Sequence, residues 1–213
     1  MEIAVNRIEA TGIVAIVRLS DYSAAVPMVE ALLKGGIEAV EFTYTNPGAG
    51  GAIEQVKSAF GADILAGAGT VLDPETARDA ILHGADFVVT PTLKRTTIRL
   101  CRRYSVPTVI GAFTPTEILA AWEHGATFVK VFPASSVGPR YLKDVSGPLP
   151  QIRLIPTGGV NLKNAADFIR AGASAIAVGS NLVDEQTVSE RNWASVTSRA
   201  EAFLTAVQDA RSG

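Results

Sequence analysis

The chain has 213 residues, which suits one α/β barrel or one to two smaller domains. Hydrophobic residues make up 47% of it and mean hydropathy is +0.24, enough for a sizeable core. The formal net charge is −2 and the pI about 5.7, which gives no footing for nucleic acid or an anionic membrane as partner.

Residues from Glu2 to Ala10 read as a lead-in helix with neither the basic patch nor the apolar run of a signal peptide. No apolar stretch reaches the length that spans a bilayer. Cys101 stands alone, so no internal disulfide forms, and a core thiol in a reducing compartment is expected. The expected location is the cytoplasm.

In chain order, Ile13–Val17 reads as a buried strand ending at Arg18. Ser20 or Asp21 is placed to cap the next helix, which Gly35-Gly36 ends. Strand Val40–Tyr44 follows, then a helix from Gly50 to Phe60, then Ile64-Leu65-Ala66 running into Gly67-Ala68-Gly69-Thr70. Asp73-Pro74-Glu75 opens a helix with a cap and a first-position proline, closing at His83-Gly84. Strand Phe87–Thr90, helix Lys94–Tyr104 and strand Thr108–Gly111 come next. Thr114-Pro115-Thr116-Glu117 starts a helix that stops at His124-Gly125. After the strand at Phe128–Pro133, Pro139–Val145 is helical and Leu154–Pro156 is a strand leading into Thr157-Gly158-Gly159. A helix Asn164–Ala171, a strand Ala175–Val178 ending at Gly179-Ser180, and a helix Asn192–Asp209 complete the chain.

Eight strands alternating with helices, in one domain over residues 1–213 and with no long linker, predict a (β/α)8 TIM barrel with an N-terminal lead-in helix. A doubly wound open sheet is the alternative. An internal repeat supports the barrel. Gly36, Gly84, Gly125 and Gly172 each end a helix and are followed by a turn residue and an apolar strand. Five residues after these glycines stand Glu41, Val89, Lys130 and Ala177. In a barrel, alternate strands feed one inward layer, so matched registers would point Glu41 and Lys130 into the same layer.

Lys130 is the one charge in the apolar run Phe128-Val129-Lys130-Val131-Phe132-Pro133. Burial lowers a lysine's pKa, and a neutral amine attacks carbonyls to give a Schiff base. The alternative is a lysine that snorkels to water. Glu41, alone in its apolar strand, could move protons or form a structural salt bridge with Lys130. Arg18 at a strand's end suits a ligand clamp or a structural fork. Gly158-Gly159 and Gly179-Ser180 follow the seventh and eighth strands, whose loops hold phosphate in many barrels; each glycine pair alone also suits a plain turn. The small residues Gly67-Ala68-Gly69 admit either a ligand beside the backbone, with the Thr70 hydroxyl bonding a carboxylate, or close strand–helix packing. His83 and His124 precede helix-ending glycines and suit the helix dipole better than a metal, and no dinucleotide fingerprint is present. Trp122 and Trp193 fall on helices as core or interface residues.

Together these motifs resemble one family. Ala15-Ile16-Val17-Arg18, Val40-Glu41-Phe42-Thr43, Gly67-Ala68-Gly69-Thr70-Val71-Leu72, Thr114-Pro115-Thr116-Glu117, Val129-Lys130-Val131-Phe132-Pro133-Ala134, Pro156-Thr157-Gly158-Gly159-Val160 and Val178-Gly179-Ser180 are similar, in family order, to the 2-keto-3-deoxy-6-phosphogluconate (KDPG) / 4-hydroxy-2-oxoglutarate (KHG) aldolases, class I enzymes on a (β/α)8 barrel. The resemblance implies that Lys130 is the Schiff-base lysine and Glu41 the acid/base. It further implies that Thr70 touches the pyruvate carboxylate, and that Arg18, Gly158, Gly159 and Ser180 bind the substrate phosphate. Thr157, Gly179, Thr45, Pro91 and Phe132 complete the candidate substrate contacts. A homotrimer with no cofactor and no metal is implied as well, acting on a small 2-keto acid, phosphorylated or not. One departure stands out: many relatives carry an arginine for the pyruvyl carboxylate where this chain has Thr45. The rival branch, 2-dehydro-3-deoxy-6-phosphogalactonate aldolases, tends to carry valine where this chain has Thr157. A phosphosugar-binding barrel without chemistry is the non-enzyme alternative, and a phosphate-binding isomerase or epimerase a more distant one.

Overall fold

A computed structural model describes residues 1–212. Helix α1 (Glu2–Thr11) precedes strand β1 (Ile13–Val17), and α2 (Ala25–Lys34), β2 (Ala39–Thr43), α3 (Ala49–Phe60), β3 (Leu65–Gly69), α4 (Pro74–Leu82) and β4 (Phe87–Thr90) follow. The second half runs α5 (Arg95–Arg103), β5 (Thr108–Ala112), α6 (Pro115–Glu123), β6 (Phe128–Val131), α7 (Gly138–Ser146), β7 (Leu154–Pro156), α8 (Ala165–Arg170), β8 (Ile176–Val178), α9 (Glu185–Ser189) and α10 (Trp193–Ser212). The strands lie in the order β7-β6-β5-β4-β3-β2-β1-β8, every neighbour parallel, and a parallel bridge between Thr157 and Ala177 joins the two ends. The sheet is therefore a barrel and not the open alternative.

Every strand residue is buried, as expected for strands covered on both faces. One apolar cluster lies between sheet and helices and includes Cys101, Phe42 and Phe168. The other fills the barrel interior with Val14, Ile16, Leu65, Phe87, Val89, Val109, Phe128 and Ile155. Ala4, Val5 and Ile8 of α1 join that inner cluster, so the lead-in helix closes the end of the barrel where the strands begin. Gly67 makes room for this filling: a Cβ there would lie 2.5 Å from the Phe87 ring. The aromatic faces of Trp122 and Trp193 pack partly buried against the outer cluster, a core role.

The repeat glycines all take left-handed backbone, with φ of 82°, 91°, 91° and 99° at Gly36, Gly84, Gly125 and Gly172. Two helix starts read from the sequence are built as expected. Asp73 accepts from Thr76 N, and Thr114 with Glu117 forms a reciprocal capping box. The start of α2 is a correction. It lies at Ala25 with no side-chain cap, because the Asp21 carboxylate instead accepts from Ser23 N and Oγ in a turn of its own. Ser20 is drawn off to Glu185, which accepts from its backbone N at 2.6 Å. Helix α9 is an element that the sequence reading passed over.

Candidate active site

Hydrogen-bond register decides whether Glu41 and Lys130 share a layer. Glu41 pairs with Gly67, and Gly67 with Phe87, two residues before Val89. Val89 pairs with Val109, and Val109 with Phe128, two residues before Lys130. Lys130 pairs with Ile155, two residues before Thr157, which bridges Ala177. A step of two residues for every two strands is the stagger of a TIM barrel with a shear of about eight. Glu41, Val89, Lys130 and Ala177 therefore form one inward layer.

Glu41 is 2% exposed and Lys130 5%, so both charges are nearly stripped of water. Desolvation drives the Lys130 amine below its ordinary pKa; the nearby Glu41 carboxylate opposes this and Arg18 adds to it. Desolvation likewise raises Glu41 above the ordinary carboxyl range, against the pull of Lys130 and Arg18. Both groups are pushed toward their neutral forms. No salt bridge within 4.0 Å joins them, and among the described residues neither side chain has a hydrogen-bond partner. The Glu41 carboxylate lies against the end of β3, where a Cβ on Gly69 would come 2.9 Å from Oε1. The Lys130 Nζ stands 5.0 Å from the centre of the Phe132 ring. That contact covers the amine on one side with a surface that cannot accept a conventional hydrogen bond.

Above Lys130 opens a cavity of about 530 Å³ at the carboxyl ends of the strands. Its walls bring together Arg18, Lys130, Phe132, Thr157, Gly158, Gly159, Gly179 and Ser180. Gly158 and Gly159 have φ of 89° and 76°, and a Cβ on Gly159 would lie 2.6 Å from the Ser135 Cβ. Glycine is required there both by conformation and by space. Asn161 and Asn164 donate to the Gly159 carbonyl, and Asn181 donates to the Val160 carbonyl at 2.8 Å. The loops after β7 and β8 are thus tied to each other. Arg18 is exposed at the end of β1 and has no ion-pair partner among the described residues. A guanidinium held at a cavity mouth without a carboxylate is available for a ligand's anion.

Four sequence candidates stand outside these walls. Glu41 faces Lys130 electrostatically from within the same barrel layer. Thr70 directly follows Gly69 and is a non-glycine residue in left-handed backbone, φ 56°, a strained conformation of the kind that gathers at functional sites. Pro91 fills the space over Gly111, where a Cβ would lie 2.2 Å from its carbonyl carbon; Gly111 is the register partner of Lys130. Thr45 is exposed, and its hydroxyl is engaged with Thr43 Oγ1 at 3.0 Å, which in turn meets Tyr22 OH at 3.3 Å. The threonine in the expected arginine position therefore belongs to an internal hydroxyl network.

The sequence reading missed Asn181, Asp184, Glu185 and Gln186, all in the cavity wall. Asp184 was legible as a helix cap: it accepts from Thr187 N at 2.9 Å and pairs with Arg199, which hold its carboxyl down to about 2. Nothing local signals Glu185, whose partner Ser20 is distant in sequence. Among the described residues no group of three or more His, Cys, Asp or Glu gathers that could hold a metal.

The family profile for KDPG and KHG aldolases matches residues 4–199. The 2-dehydro-3-deoxy-phosphogluconate aldolase of Pseudomonas aeruginosa is 39% identical over 172 residues, 80% of this chain and 78% of that protein. The 2-dehydro-3-deoxy-6-phosphogalactonate aldolase of Escherichia coli is 34% identical over 197 residues, 92% of this chain and 96% of that protein. Among solved structures, KDPG aldolase from Legionella pneumophila, with pyruvate captured as a covalent carbinolamine, superposes with a TM-score of 0.87 at 30% identity, covering 93% of this chain and 97% of that one.

Proposed function

The chain belongs to the KDPG and KHG aldolase family, and from that premise we propose that it cleaves 2-keto-3-deoxy-6-phosphogluconate to pyruvate and glyceraldehyde 3-phosphate through a Schiff base on Lys130. It is a carbon–carbon lyase of the aldolase type. The observation that carries the mechanism is a single amine, Lys130, buried at the base of the cavity with its pKa depressed and an acid, Glu41, in the same barrel layer.

Neutral Lys130 attacks the 2-keto carbon, and protonated Glu41 gives its proton, through a water, to the departing hydroxyl, so that loss of water leaves the iminium beside the Glu41 carboxylate. The C3–C4 bond breaks with its electrons flowing into that iminium, while Glu41, through a water, accepts the C4 hydroxyl proton and releases the aldehyde. The enamine takes a proton at C3, and hydrolysis frees pyruvate and the lysine. Arg18 and the backbone N–H groups of Gly158, Gly159, Gly179 and Ser180 hold the distal phosphate; Thr70 meets the carboxylate; Thr157, Phe132, Pro91 and Thr45 shape the rest of the site. KHG, whose distal carboxylate replaces the phosphate, fits the same arrangement and gives pyruvate and glyoxylate. Thr157, which lines the cavity where the galactonate branch tends to carry valine, supports the gluconate reading.

The reading also includes a homotrimer, a cytoplasmic site of action in the Entner–Doudoroff pathway, a small-molecule substrate only, and catalysis with no cofactor or metal. No helix among the described residues is long and apolar enough to cross a membrane. The test is pyruvate with borohydride. Irreversible gain of a reduced pyruvyl group on Lys130 and on no other lysine is expected. Labelling that persists in Lys130→Ala would remove the assignment, and retained cleavage activity in that variant would remove the mechanism.

A further inference from the structure

On the outside of the barrel, away from the cavity above Lys130, α5 carries Arg95, Arg99, Arg102 and Arg103, all exposed. With His124 at the end of the neighbouring helix α6 they line a second hollow of about 570 Å³. None of the four arginines has an acidic partner within 4.0 Å among the described residues, although acidic residues outnumber basic ones in the chain by 21 to 19.

The arrangement works against helix stability in two ways. Arg95 sits at the positive end of the helix, whose first turn holds no acidic residue. Arg99 has Arg95 four residues before it and Arg102 and Arg103 three and four after it, spacings at which like charges repel. Arg102 and Arg103 in the last turn suit the negative end of the dipole, but among the described residues no salt bridge relieves the repulsion between the four. The Arg102 side chain lies across the turn before β6: a Cβ on Gly125 would come 2.8 Å from its guanidinium, so the glycine leaves it room on the side where His124 lines the hollow. From Arg95 to Arg103 the row runs roughly 12 Å along the helix axis, at about 1.5 Å per residue. That is the reach of a short chain of phosphates and more than one orthophosphate can bridge.

We propose that this face of α5 binds a linear polyphosphate, free or as the tail of a nucleoside triphosphate. Guanidinium groups in a row suit it because each can fork two N–H donors onto one phosphate. The proposal is independent of the reaction assigned to the barrel mouth.

The test is calorimetric titration of the full chain, at low ionic strength, with tripolyphosphate, ATP and orthophosphate. The variants are Arg99→Gln/Arg102→Gln and Arg99→Glu/Arg102→Glu. Tripolyphosphate is expected to bind at least about tenfold tighter than orthophosphate, and to weaken steeply with added salt. Both variants should lose at least about tenfold in Kd while aldol cleavage stays within about twofold of the unmodified chain. Equal affinity for tripolyphosphate and ATP identifies the phosphate chain as the ligand, and tighter ATP identifies the nucleotide; either supports the site. Binding that is unchanged in both variants would place the anion elsewhere, in the barrel mouth for instance, and overturn the proposal. So would no binding at millimolar tripolyphosphate, or tighter binding of single-stranded RNA than of tripolyphosphate.

Discussion

Lys130→Met separates two accounts of the buried lysine and glutamate. If the pair were a structural ion pair, removing one partner would leave an uncompensated charge and cost about 3–5 kcal/mol. For a chain of this length that is a fall in Tm of roughly 6 °C or more, at about 2–4 °C per kcal/mol. The structure argues for the other account. The two groups make no salt bridge within 4.0 Å, and desolvation dominates both pKa shifts, favouring a neutral amine and a neutral acid. Methionine has a similar length and no charge to desolvate, and with Lys130 gone Glu41 is held neutral even more firmly. The single variant should therefore be at least as stable as the parent. Glu41→Gln/Lys130→Met, which removes both ionisable groups, should likewise be no less stable than the parent, since neither desolvated group remains to be charged. Both variants should be inactive in cleavage.

The pH dependence gives each residue its own signature. Lys130 has its folded pKa below the unfolded value, so the unfolded chain binds the extra proton and parent stability rises with pH across that window, up to the unfolded value of about 10.5. The advantage of Lys130→Met should shrink as pH rises. Glu41 has its folded pKa above the model-peptide value, so its stabilising contribution is present below that value and lost as pH rises through the folded one. The advantage of Glu41→Gln should grow over that range. The assay is thermal unfolding at fixed protein concentration, since any assembly makes Tm concentration-dependent. A Lys130→Met variant that melts about 6 °C or more below the parent would refute the reasoning and restore the salt bridge.

Arg18→Ala removes a charge-assisted contact contributing roughly 1.5–3 kcal/mol, so kcat/KM for cleavage should fall about ten- to a hundredfold. Proton exchange at the methyl group of pyruvate needs no distal anion and should be nearly unchanged; equal losses in both assays would move Arg18 to the pyruvyl end. Gly69→Ala puts a Cβ 2.9 Å from Glu41 Oε1, displacing the carboxylate, and kcat should fall at least about tenfold, toward the 10²–10⁴ typical of lost acid–base catalysis, with the circular dichroism spectrum retained. Unchanged kcat would free Glu41 from its assigned role. Thr114→Ala should cost about 1 kcal/mol by undoing half of the capping box, read as a drop in Tm of about 2–4 °C. The backbone amides of Thr114 and Phe113 hold the Glu117 carboxyl below its ordinary pKa, so the stability it lends is present at neutral pH and lost in acid; combined Thr114→Ala/Glu117→Gln should show a deficit that narrows as pH falls.

The barrel was legible because its signals are local. Asp73-Pro74 and Thr114-Pro115-x-Glu117 announce helix starts with side chains that bond their own helix, and left-handed glycines announce the ends. Where the controlling contact is distant in sequence, the reading fails. Ser20 looks like a cap for the following helix, but Glu185 from the far end of the chain takes its N–H. Helix α9 escaped for a related reason: it has five residues and little apolar periodicity, and Asp184 is held as much by Arg199 on α10 as by its own turn.

The active site divides along the same line. Glu41 and Lys130 could be brought together from sequence because the glycine repeat counts residues along each strand, and barrel stagger converts that count into height. The walls of the cavity could not, since Asn181 and Glu185 reach it only through loop closure. That closure has a functional consequence visible around Arg18. The segment just after it, Leu19-Ser20, is gripped from both sides: Asn46 Nδ2 donates to the Leu19 and Ser20 carbonyls, and Glu185 accepts from the Ser20 amide. Three segments, after β1, β2 and β8, thereby fix the backbone that carries a guanidinium with no ion-pair partner among the described residues. A side chain with this many rotatable bonds loses up to about 2 kcal/mol of entropy when a ligand immobilises it, and an already rigid backbone leaves only that side-chain part to be offset on binding. Thr45, just past β2, fits the same economy of contacts: its hydroxyl meets Thr43 Oγ1, which meets the Tyr22 hydroxyl, and that hydroxyl also donates to the Val17 carbonyl, so the ends of β1 and β2 are braced directly beneath the loop that positions Arg18.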